Sequence, residues 1–152
     1  MTEDSILNID IITASKEGKP ELVRKLIKAG SNVNDRDTGG YTALHWACQR
    51  HFVEIVLILI ERGADVNTKS TERTECQTPL HLACIFQNPQ IVRLLLEAGA
   101  DASARNQERW TPLDYLRQKP VTNPAREELL DLFREHAPEM VMERYCSPGP
   151  GT

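Results

Sequence analysis

Apolar residues recur along this chain at the spacing of one face of an α-helix. Ile55–Val56 and Leu59–Ile60 are two apolar pairs four positions apart, which form one buried stripe on a helix. Two further copies of this pattern are Leu22, Val23, Leu26 and Ile27, and Ile91, Val92, Leu95 and Leu96. Each stripe is followed by a glycine, Gly30, Gly63 or Gly99, at the position that commonly ends a helix. The pattern therefore predicts three amphipathic helices with defined ends.

A shorter apolar segment, opened by a repeated phrase, precedes the later stripes. The phrase reads Thr-Ala-Leu-His at Thr42–His45, Thr-Pro-Leu-His at Thr78–His81 and Thr-Pro-Leu-Asp at Thr111–Asp114. Threonine suits the N-cap of a helix, and proline suits the first helical position, where its missing N–H costs nothing. Each phrase predicts a short first helix that pairs with a longer second one.

The two patterns repeat with a nearly constant period. Gly30 and Gly63 are 33 residues apart, Gly63 and Gly99 are 36 apart, and Thr78 and Thr111 are 33 apart. Such self-similarity indicates a stack of units, none of which can bury its apolar face alone. On the Thr78–His81 phrase and this period, the chain resembles the ankyrin-repeat family over about residues 8–136. The resemblance implies an all-α solenoid of helix-turn-helix units joined by β-turn or hairpin fingers.

The register divides the chain into about four repeats, including degenerate terminal ones. These are residues 8–36, 37–69, 70–105 and 106–136, followed by a tail at 137–152 that we expect to be flexible. The last repeat has a longer connection between its helices, with two prolines in residues 119–124. Its second helix, 125–136, is expected to bury Leu129, Leu130 and Phe133 and to turn Arg126 to solvent.

Composition and charge narrow the function classes. The chain has 152 residues, which suit one domain, and 18 basic against 22 acidic residues give a net charge of −4. No run of Lys and Arg marks a nucleic-acid surface, and no apolar run is long enough to span a membrane. The beginning of the sequence has no secretory signal pattern, so we expect a cytoplasmic monomer with free thiols.

His45 with Cys48 and His81 with Cys84 are the residues most suggestive of chemistry. Histidine and cysteine three apart on a helix can share a zinc ion, and a Cys–His pair can be a nucleophile. The stronger reading is structural, because both pairs occupy equivalent positions in neighbouring repeats and are expected to serve repeat stacking. We expect no catalysis, no cofactor and no metal. A metal- or thiol-responsive regulator, with Cys76 or Cys146 also taking part, remains the less favoured alternative.

Resemblance to ankyrin repeats implies a groove lined by the finger turns and the exposed side of the first helices. The chain is accordingly interpreted as a scaffold or adaptor that binds another protein, with a dedicated inhibitory or regulatory subunit of one enzyme as the alternative. The predicted contact residues are Thr38, Tyr41, Gln49, Arg50, Lys69, Glu72, Arg73, Gln77, Ile85, Phe86, Gln107, Glu108, Trp110 and Arg117. Of these, Tyr41, Phe86 and Trp110 are expected to anchor the partner, and Arg50 and Arg73 to orient it.

Two features of the turns leave alternatives open. The finger at 70–76 is three residues longer than the others, which is either tolerated lengthening or an added partner contact. His51 and Gln87 stand where the first repeat has the turn glycine Gly18, so we expect both to adopt the left-handed backbone conformation with positive φ. Cys76 and Arg109 stand where the second repeat has Gly40 in its finger, so these two fingers either adopt a different turn or carry backbone strain.

Overall fold

The computed structural model describes residues 9–118 and 123–142. Within these ranges the chain forms helix pairs, each a short first helix and a longer second one. The pairs are α1 Ile11–Lys16 with α2 Pro20–Lys28, α3 Ala43–Gln49 with α4 Val53–Glu61, α5 Pro79–Ile85 with α6 Pro89–Glu97, and α7 Pro112–Gln118 with α8 Pro124–His136, followed by α9 Pro138–Met142. β-Structure in the described ranges amounts to one isolated bridge between Arg36 and Thr42. The fold is an all-α repeat solenoid.

The helices form two layers, with the core between them. The first helices α1, α3, α5 and α7 pack against one another in chain order, and so do the second helices α2, α4, α6 and α8. Leu44 and Leu80 from the first layer and Ile55 and Ile91 from the second are at most 1% exposed. Burying a side chain of this kind stabilises the fold by about 1.5–3 kcal/mol. Because each unit's apolar face is covered largely by its neighbours, the repeats depend on one another.

Buried histidines join each repeat to the next. Thr42 caps α3, where its Oγ1 accepts a hydrogen bond from the N–H of His45, and the Nδ1 of His45 accepts one from the N–H of Thr42 at 3.1 Å. The Nε2 of His45 donates to the carbonyl oxygen of Gln77 in the following repeat at 3.0 Å. Since a carbonyl only accepts, this contact requires the Nε2–H tautomer.

The same network recurs one repeat later. Thr78 caps α5 and exchanges hydrogen bonds with His81, whose Nε2 donates to the carbonyl oxygen of Trp110 at 2.9 Å. Burial lowers the pKa of His45 to about 4 and lowers the pKa of His81 as well. Both imidazoles are therefore neutral at neutral pH, as their hydrogen bonds require.

Neighbouring fingers are packed against each other at short range. Gly39 offers its carbonyl oxygen to the N–H of Thr71 at 3.2 Å and to the hydroxyl of Thr74 at 2.7 Å. Between these threonines the longer finger forms a 3₁₀ turn, Glu72–Thr74, and on its other side the carbonyl of Glu75 accepts the N–H of Gln107 at 2.9 Å. The inserted residues thus lie in a finger that is bonded to both neighbours.

Non-glycine residues take left-handed conformations in the turns. The prediction for the inter-helix turn is confirmed, because φ is 63° at His51 and 55° at Gln87. Cys76 and Arg109 have φ values of 55° and 68°, in the same region as Gly40 at 76°. Those two fingers keep the glycine-type turn and accept its strain, which costs about 1 kcal/mol or more at each non-glycine residue.

The last repeat differs from expectation in which side chains it buries. The core residues of α8 are Leu129, Leu132 and Phe133, while Leu130 is half-buried. The prediction that Arg126 faces solvent is wrong: its Nε donates to the carbonyl of Leu116 at 2.9 Å, which draws the side chain onto α7.

The chain continues past the last predicted repeat into α9, which packs on α8. This helix lies in the first part of the segment predicted to be a tail. Residues 143–152 of that segment, residues 119–122 of the predicted proline-containing connection and residues 1–8 lie outside the described ranges.

Replacing Gly40 with alanine is expected to destabilise the fold by about 3 kcal/mol. The added Cβ would lie 2.7 Å from Cγ2 and 2.8 Å from the backbone N of Thr71, at a φ of 76°. Gly63→Ala is the matched control, since Gly63 also has positive φ, 87°, but nothing lies within 4 Å of its added Cβ. Denaturant melts of Gly63→Ala should show a loss of about 1 kcal/mol. Equal losses in the two variants would contradict the close approach of the fingers.

Acid is expected to destabilise the protein through its buried histidines. The folded pKa of His45 is about 4, below the ordinary 6.5, so between these pH values only the unfolded state binds the proton. The contribution of neutral His45 to the free energy of unfolding is complete above pH 6.5 and is lost as the pH falls towards 4. It amounts to about 3 kcal/mol for this residue. Urea melts at several pH values in this range measure how steeply the free energy of unfolding changes with pH. This pH dependence should be weaker in His45→Gln, and an unchanged pH dependence would contradict the neutral buried imidazole.

Candidate protein-binding pocket

A pocket of about 250 Å³ lies where the second and third repeats meet on the side of the first helices and fingers. We call it the groove pocket. Its lining residues are Tyr41, Gln49, Arg73, Thr74, Glu75, Gln77, Leu82, Ile85 and Phe86. Six of these nine are among the predicted contact residues, and the structure brings those six together from two repeats. Thr74, Glu75 and Leu82 are lining residues outside that set, although Thr74 and Glu75 belong to the finger 70–76 whose lengthening was considered as a possible partner contact.

The ends of the first helices supply the apolar part of the groove pocket. Gln49 is the last residue of α3 and Ile85 the last of α5, and Phe86 follows as the C-cap. The Phe86 ring is 40% exposed and stands edge-on to His51, with ring centroids 6.3 Å apart. Its position at a helix end, just before the strained turn at Gln87, projects the ring out of the core.

Tyr41 forms the opposite wall through contacts within its own repeat. Its ring is stacked on His45, with centroids 5.2 Å apart, and meets Trp46 edge-on at 5.4 Å. Burial raises the pKa of Tyr41, and the nearby carboxylates of Glu75 and Asp37 raise it further. The phenol is therefore a neutral group that can donate a hydrogen bond at physiological pH.

Gln77 belongs to the pocket wall rather than to an exposed contact surface. It is 3% exposed, and its Nε2 donates to the carboxylate of Glu75 at 2.7 Å and to the hydroxyl of Tyr115 at 3.0 Å. Its Oε1 is buried and accepts no hydrogen bond from the described part of the chain. Gln77 was predicted as a contact residue together with Tyr41 and Trp110, which also precede a threonine of the repeated phrase. In this repeat, Ser70 and Glu75 of the long finger bind Gln77 and help to bury it.

Trp110 stands at the equivalent position in the last repeat, outside the groove pocket. Its ring meets Tyr115 edge-on at a centroid distance of 5.2 Å and is half-buried. The Tyr115 hydroxyl also accepts a hydrogen bond from Asn106 at 2.8 Å. Trp110 thus extends the aromatic surface one repeat further, and its ring also takes part in packing.

Trp46 is a surface residue that sequence reasoning missed. Its Nε1 donates to Asp37 at 2.9 Å, the Nζ of Lys16 lies 4.4 Å from the ring centroid, and the Cζ of Arg50 lies 5.9 Å from it. Trp46 follows the histidine of the repeated phrase, a position taken by Leu82 and Tyr115 in the next repeats. The difference between Trp46, Leu82 and Tyr115 at this position was the sequence signal that could have identified Trp46.

Five further predicted contact residues lie on the fingers. Thr38, Lys69, Glu72, Gln107 and Glu108 are exposed finger residues outside the groove pocket. The Nζ of Lys69 donates to the carbonyl of Arg105 at 2.8 Å, so this side chain links two fingers.

Arg117 was predicted as the equivalent of Gln49 and Ile85 in the last repeat, but it lies one position earlier in the register. It stands six residues after Thr111, in the register of Cys84, and its guanidinium faces Asp114 at 3.9 Å and the carbonyl of Met140 at 3.5 Å. The register position, at the helix side that meets the following elements, turns this side chain towards α9.

The histidine and cysteine pairs have no free ligand atoms directed at a common point. Both ring nitrogens of His45 and His81 are hydrogen-bonded, and Cys48 and Cys84 are completely buried free thiols whose pKa is raised by burial. In the described ranges no three His, Cys, Asp or Glu side chains are grouped so that they could hold a metal ion. Cys146 lies outside those ranges.

A second pocket, of about 330 Å³, lies on the layer of second helices. Its lining residues are Val53, Leu57, Gln90, Arg93, Leu94 and Glu128, and Leu57 is 42% exposed. We call it the outer pocket.

Among the described residues, no helix combines the length and apolar character needed to cross a membrane.

Comparison with protein families gives two matches that cover the repeats. A family model described as ankyrin repeats (3 copies) matches residues 11–70, and one described as ankyrin repeats (many copies) matches residues 69–116. Together they cover more than two thirds of the 152 residues.

Curated relatives share short stretches with this chain. The human BCL-6 corepressor-like protein 1 is 49% identical over 49 residues, 32% of this chain and 3% of that protein. The Arabidopsis thaliana acyl-CoA-binding domain-containing protein 2 is 42% identical over 60 residues, 39% of this chain and 17% of that protein. The human ankyrin repeat domain-containing protein 40 is 39% identical over 51 residues, 33% of this chain and 14% of that protein. The chain therefore matches only small parts of much longer proteins.

The buried thiols are expected to be inert in the folded protein. Because the thiolate is the reactive form and burial disfavours it, Cys48 and Cys84 should be alkylated about a hundredfold more slowly than the half-buried Cys76. Peptide mapping by mass spectrometry after timed alkylation measures each site, and denaturant should remove the difference. Labelling of Cys48 or Cys84 as fast as Cys76 in native buffer would contradict the buried, protonated thiols.

Proposed function

Because this chain belongs to the ankyrin-repeat family, whose repeats generally mediate protein–protein interaction, we propose that it is a non-catalytic scaffold or adaptor that binds another protein at the groove pocket. The observation that carries the proposal is the groove pocket itself, where residues from two repeats surround an exposed phenylalanine.

The shape and chemistry of the groove pocket suit a protein side chain. Phe86, Ile85 and Leu82 give an apolar floor, and Gln49, Arg73 and Glu75 offer polar groups around it. Exposed aromatic residues in a pocket are the groups that dominate the energetics of protein interfaces. A partner side chain that covers the Phe86 ring would bury apolar surface while its backbone finds hydrogen-bond partners at the rim.

The surrounding structure favours binding by holding the groove pocket in one shape. The long finger that supplies Arg73 and Glu75 is bonded to Gly39 on one side and to Gln107 on the other. A surface that is already ordered loses little conformational entropy when a partner binds. The rigid fingers therefore support a preformed binding site.

The chemical groups of the described residues favour binding over catalysis. The two buried histidines are neutral and have both nitrogens engaged, and the buried thiols are protonated, so neither pair supplies a base or a nucleophile. The groove pocket is instead furnished with groups that bind and orient.

Phe86→Ala is expected to weaken partner binding by about tenfold or more with little effect on the fold, because the ring is exposed in the free protein. Leu57→Ala is the matched control, since Leu57 has nearly the same exposure but lies in the outer pocket. Quantitative affinity capture from a native lysate compares the two variants with the unchanged chain.

The expected result is a set of proteins retained by the unchanged chain and by Leu57→Ala and depleted with Phe86→Ala. Depletion with Leu57→Ala alone would place binding on the outer pocket and contradict the proposal. If a captured partner is an enzyme, adding the purified chain to it distinguishes an adaptor from an inhibitory subunit.

A further inference from the structure

We infer that the occupant of the groove pocket is an extended protein segment that carries an Asp or Glu side chain beside its apolar anchor, with the carboxylate bound by Lys16 and Arg50 over the Trp46 ring. The inference rests on the proposed function and adds the chemistry of the partner. We call Lys16, Trp46 and Arg50 the cation clamp.

The cation clamp joins two repeats. Lys16 is the last residue of α1, Trp46 lies in α3, and Arg50 is the C-cap one turn after Trp46. The Nζ of Lys16 is 4.4 Å and the Cζ of Arg50 is 5.9 Å from the centroid of the same ring. The negative face of an aromatic ring attracts a cation, which explains how both charges come to lie near Trp46.

The two cations of the clamp are exposed, and neither is paired with a carboxylate in the described part of the chain. Among the described residues, no ion pair within 4.0 Å involves Lys16 or Arg50. Glu17, the nearest acidic residue in the chain to Lys16, is paired with Lys19. Two like charges near one ring repel each other, and an anion placed between them removes that cost.

Asp37 is the carboxylate that contacts Trp46 directly. Its carboxylate accepts hydrogen bonds from the N–H groups of Gly39 and Tyr41 and from the Trp46 indole, each at 2.9 Å. It therefore serves the finger turn and orients the ring, and it makes no ion pair within 4.0 Å with Lys16 or Arg50.

The clamp is next to the groove pocket along the chain and in space. Gln49 lines the groove pocket and Arg50 is the next residue, and Tyr41, another lining residue, meets the Trp46 ring edge-on at a centroid distance of 5.4 Å. An extended segment advances about 3.3–3.6 Å per residue. Phe86 and Arg50 are the C-caps of the neighbouring helices α5 and α3. Because neighbouring helices pack about 8–10 Å apart, which up to three extended residues span, we place the acidic residue one to three positions from the apolar anchor.

Charges on the far wall of the groove pocket do not reverse this preference. Arg73 and Glu75 stand there together with opposite signs, and the Glu75 carboxylate accepts a hydrogen bond from Gln77. Their charges largely offset each other, which leaves the cation clamp to set the sign of the anion-binding end. Burial of Phe86 by the partner would also exclude water and strengthen the attraction between the clamp and a carboxylate.

Selection from a phage-displayed library of random peptides on the full chain tests the inference. We expect peptides that carry Asp or Glu within one to three positions of an apolar residue and that lose binding with Phe86→Ala. Changing the acidic residue of a selected synthetic peptide to its amide should weaken binding by about tenfold, and raised salt should weaken binding of the acidic peptide more than that of the amide.

Charge reversal of the clamp, Lys16→Glu with Arg50→Glu, should select basic residues at the same place. The matched control is Lys28→Glu with Arg62→Glu, two exposed cations at the ends of α2 and α4 with the same change of charge. The control should keep the acidic preference. The milder Lys16→Gln with Arg50→Gln should lose it without reversing it, which keeps the test valid if charge reversal disturbs folding.

Three results would overturn the inference. Peptides that depend on Phe86 but show no acidic preference would leave the groove pocket as a binding site and reject only the acidic partner. Absence of any Phe86-dependent peptide would reject the proposed function together with the inference. A synthetic peptide in which phosphoserine replaces the acidic residue and binds at least about tenfold more tightly would assign the clamp to phosphate instead of carboxylate.

Discussion

The hydrogen bond from a buried histidine to a carbonyl of the next repeat is the constraint on which the rest of this structure depends. His45 reaches Gln77, and His81 reaches Trp110, in both cases across a boundary between repeats. Each imidazole also holds the N-cap threonine of its own helix, so one neutral side chain sets both the start of a first helix and the position of the following finger. In a buried environment such a fully satisfied network is rigid, because any displacement leaves a polar group unpaired.

The groove pocket follows from this network. The carbonyl of Gln77 is held by His45 and its side-chain amide by Glu75 and Tyr115, so the residue that lines the wall between two repeats is fixed from both sides. Left-handed turns at Cys76 and Gln87 bring the long finger and Phe86 to the two edges of the pocket. The strain of those turns is tolerated because the stacked repeats hold the backbone in place.

Most of the fold and part of the site could be predicted from the repeats. Each copy of the repeated phrase predicts the same local structure. The helix caps, the left-handed turn positions and the stacking role of the histidines could therefore be predicted from the sequence. The errors arose where a copy departs from the others. Gln77 is covered by the long finger, and Arg117 occupies the small-residue register. Trp46, directly after the repeated phrase, stands where the next repeats have Leu82 and Tyr115.

The sequence by itself determined the repeat period, the helix ends and the family, because these depend on local propensity and on apolar patterns within a single unit. The tertiary structure decided which side chains from different repeats meet. The approach of Lys16 to Trp46 and the packing of Thr74 on Gly39 join residues 30 and 35 positions apart in the chain. Such contacts depend on the distance and rotation between successive repeats, which no single repeat encodes.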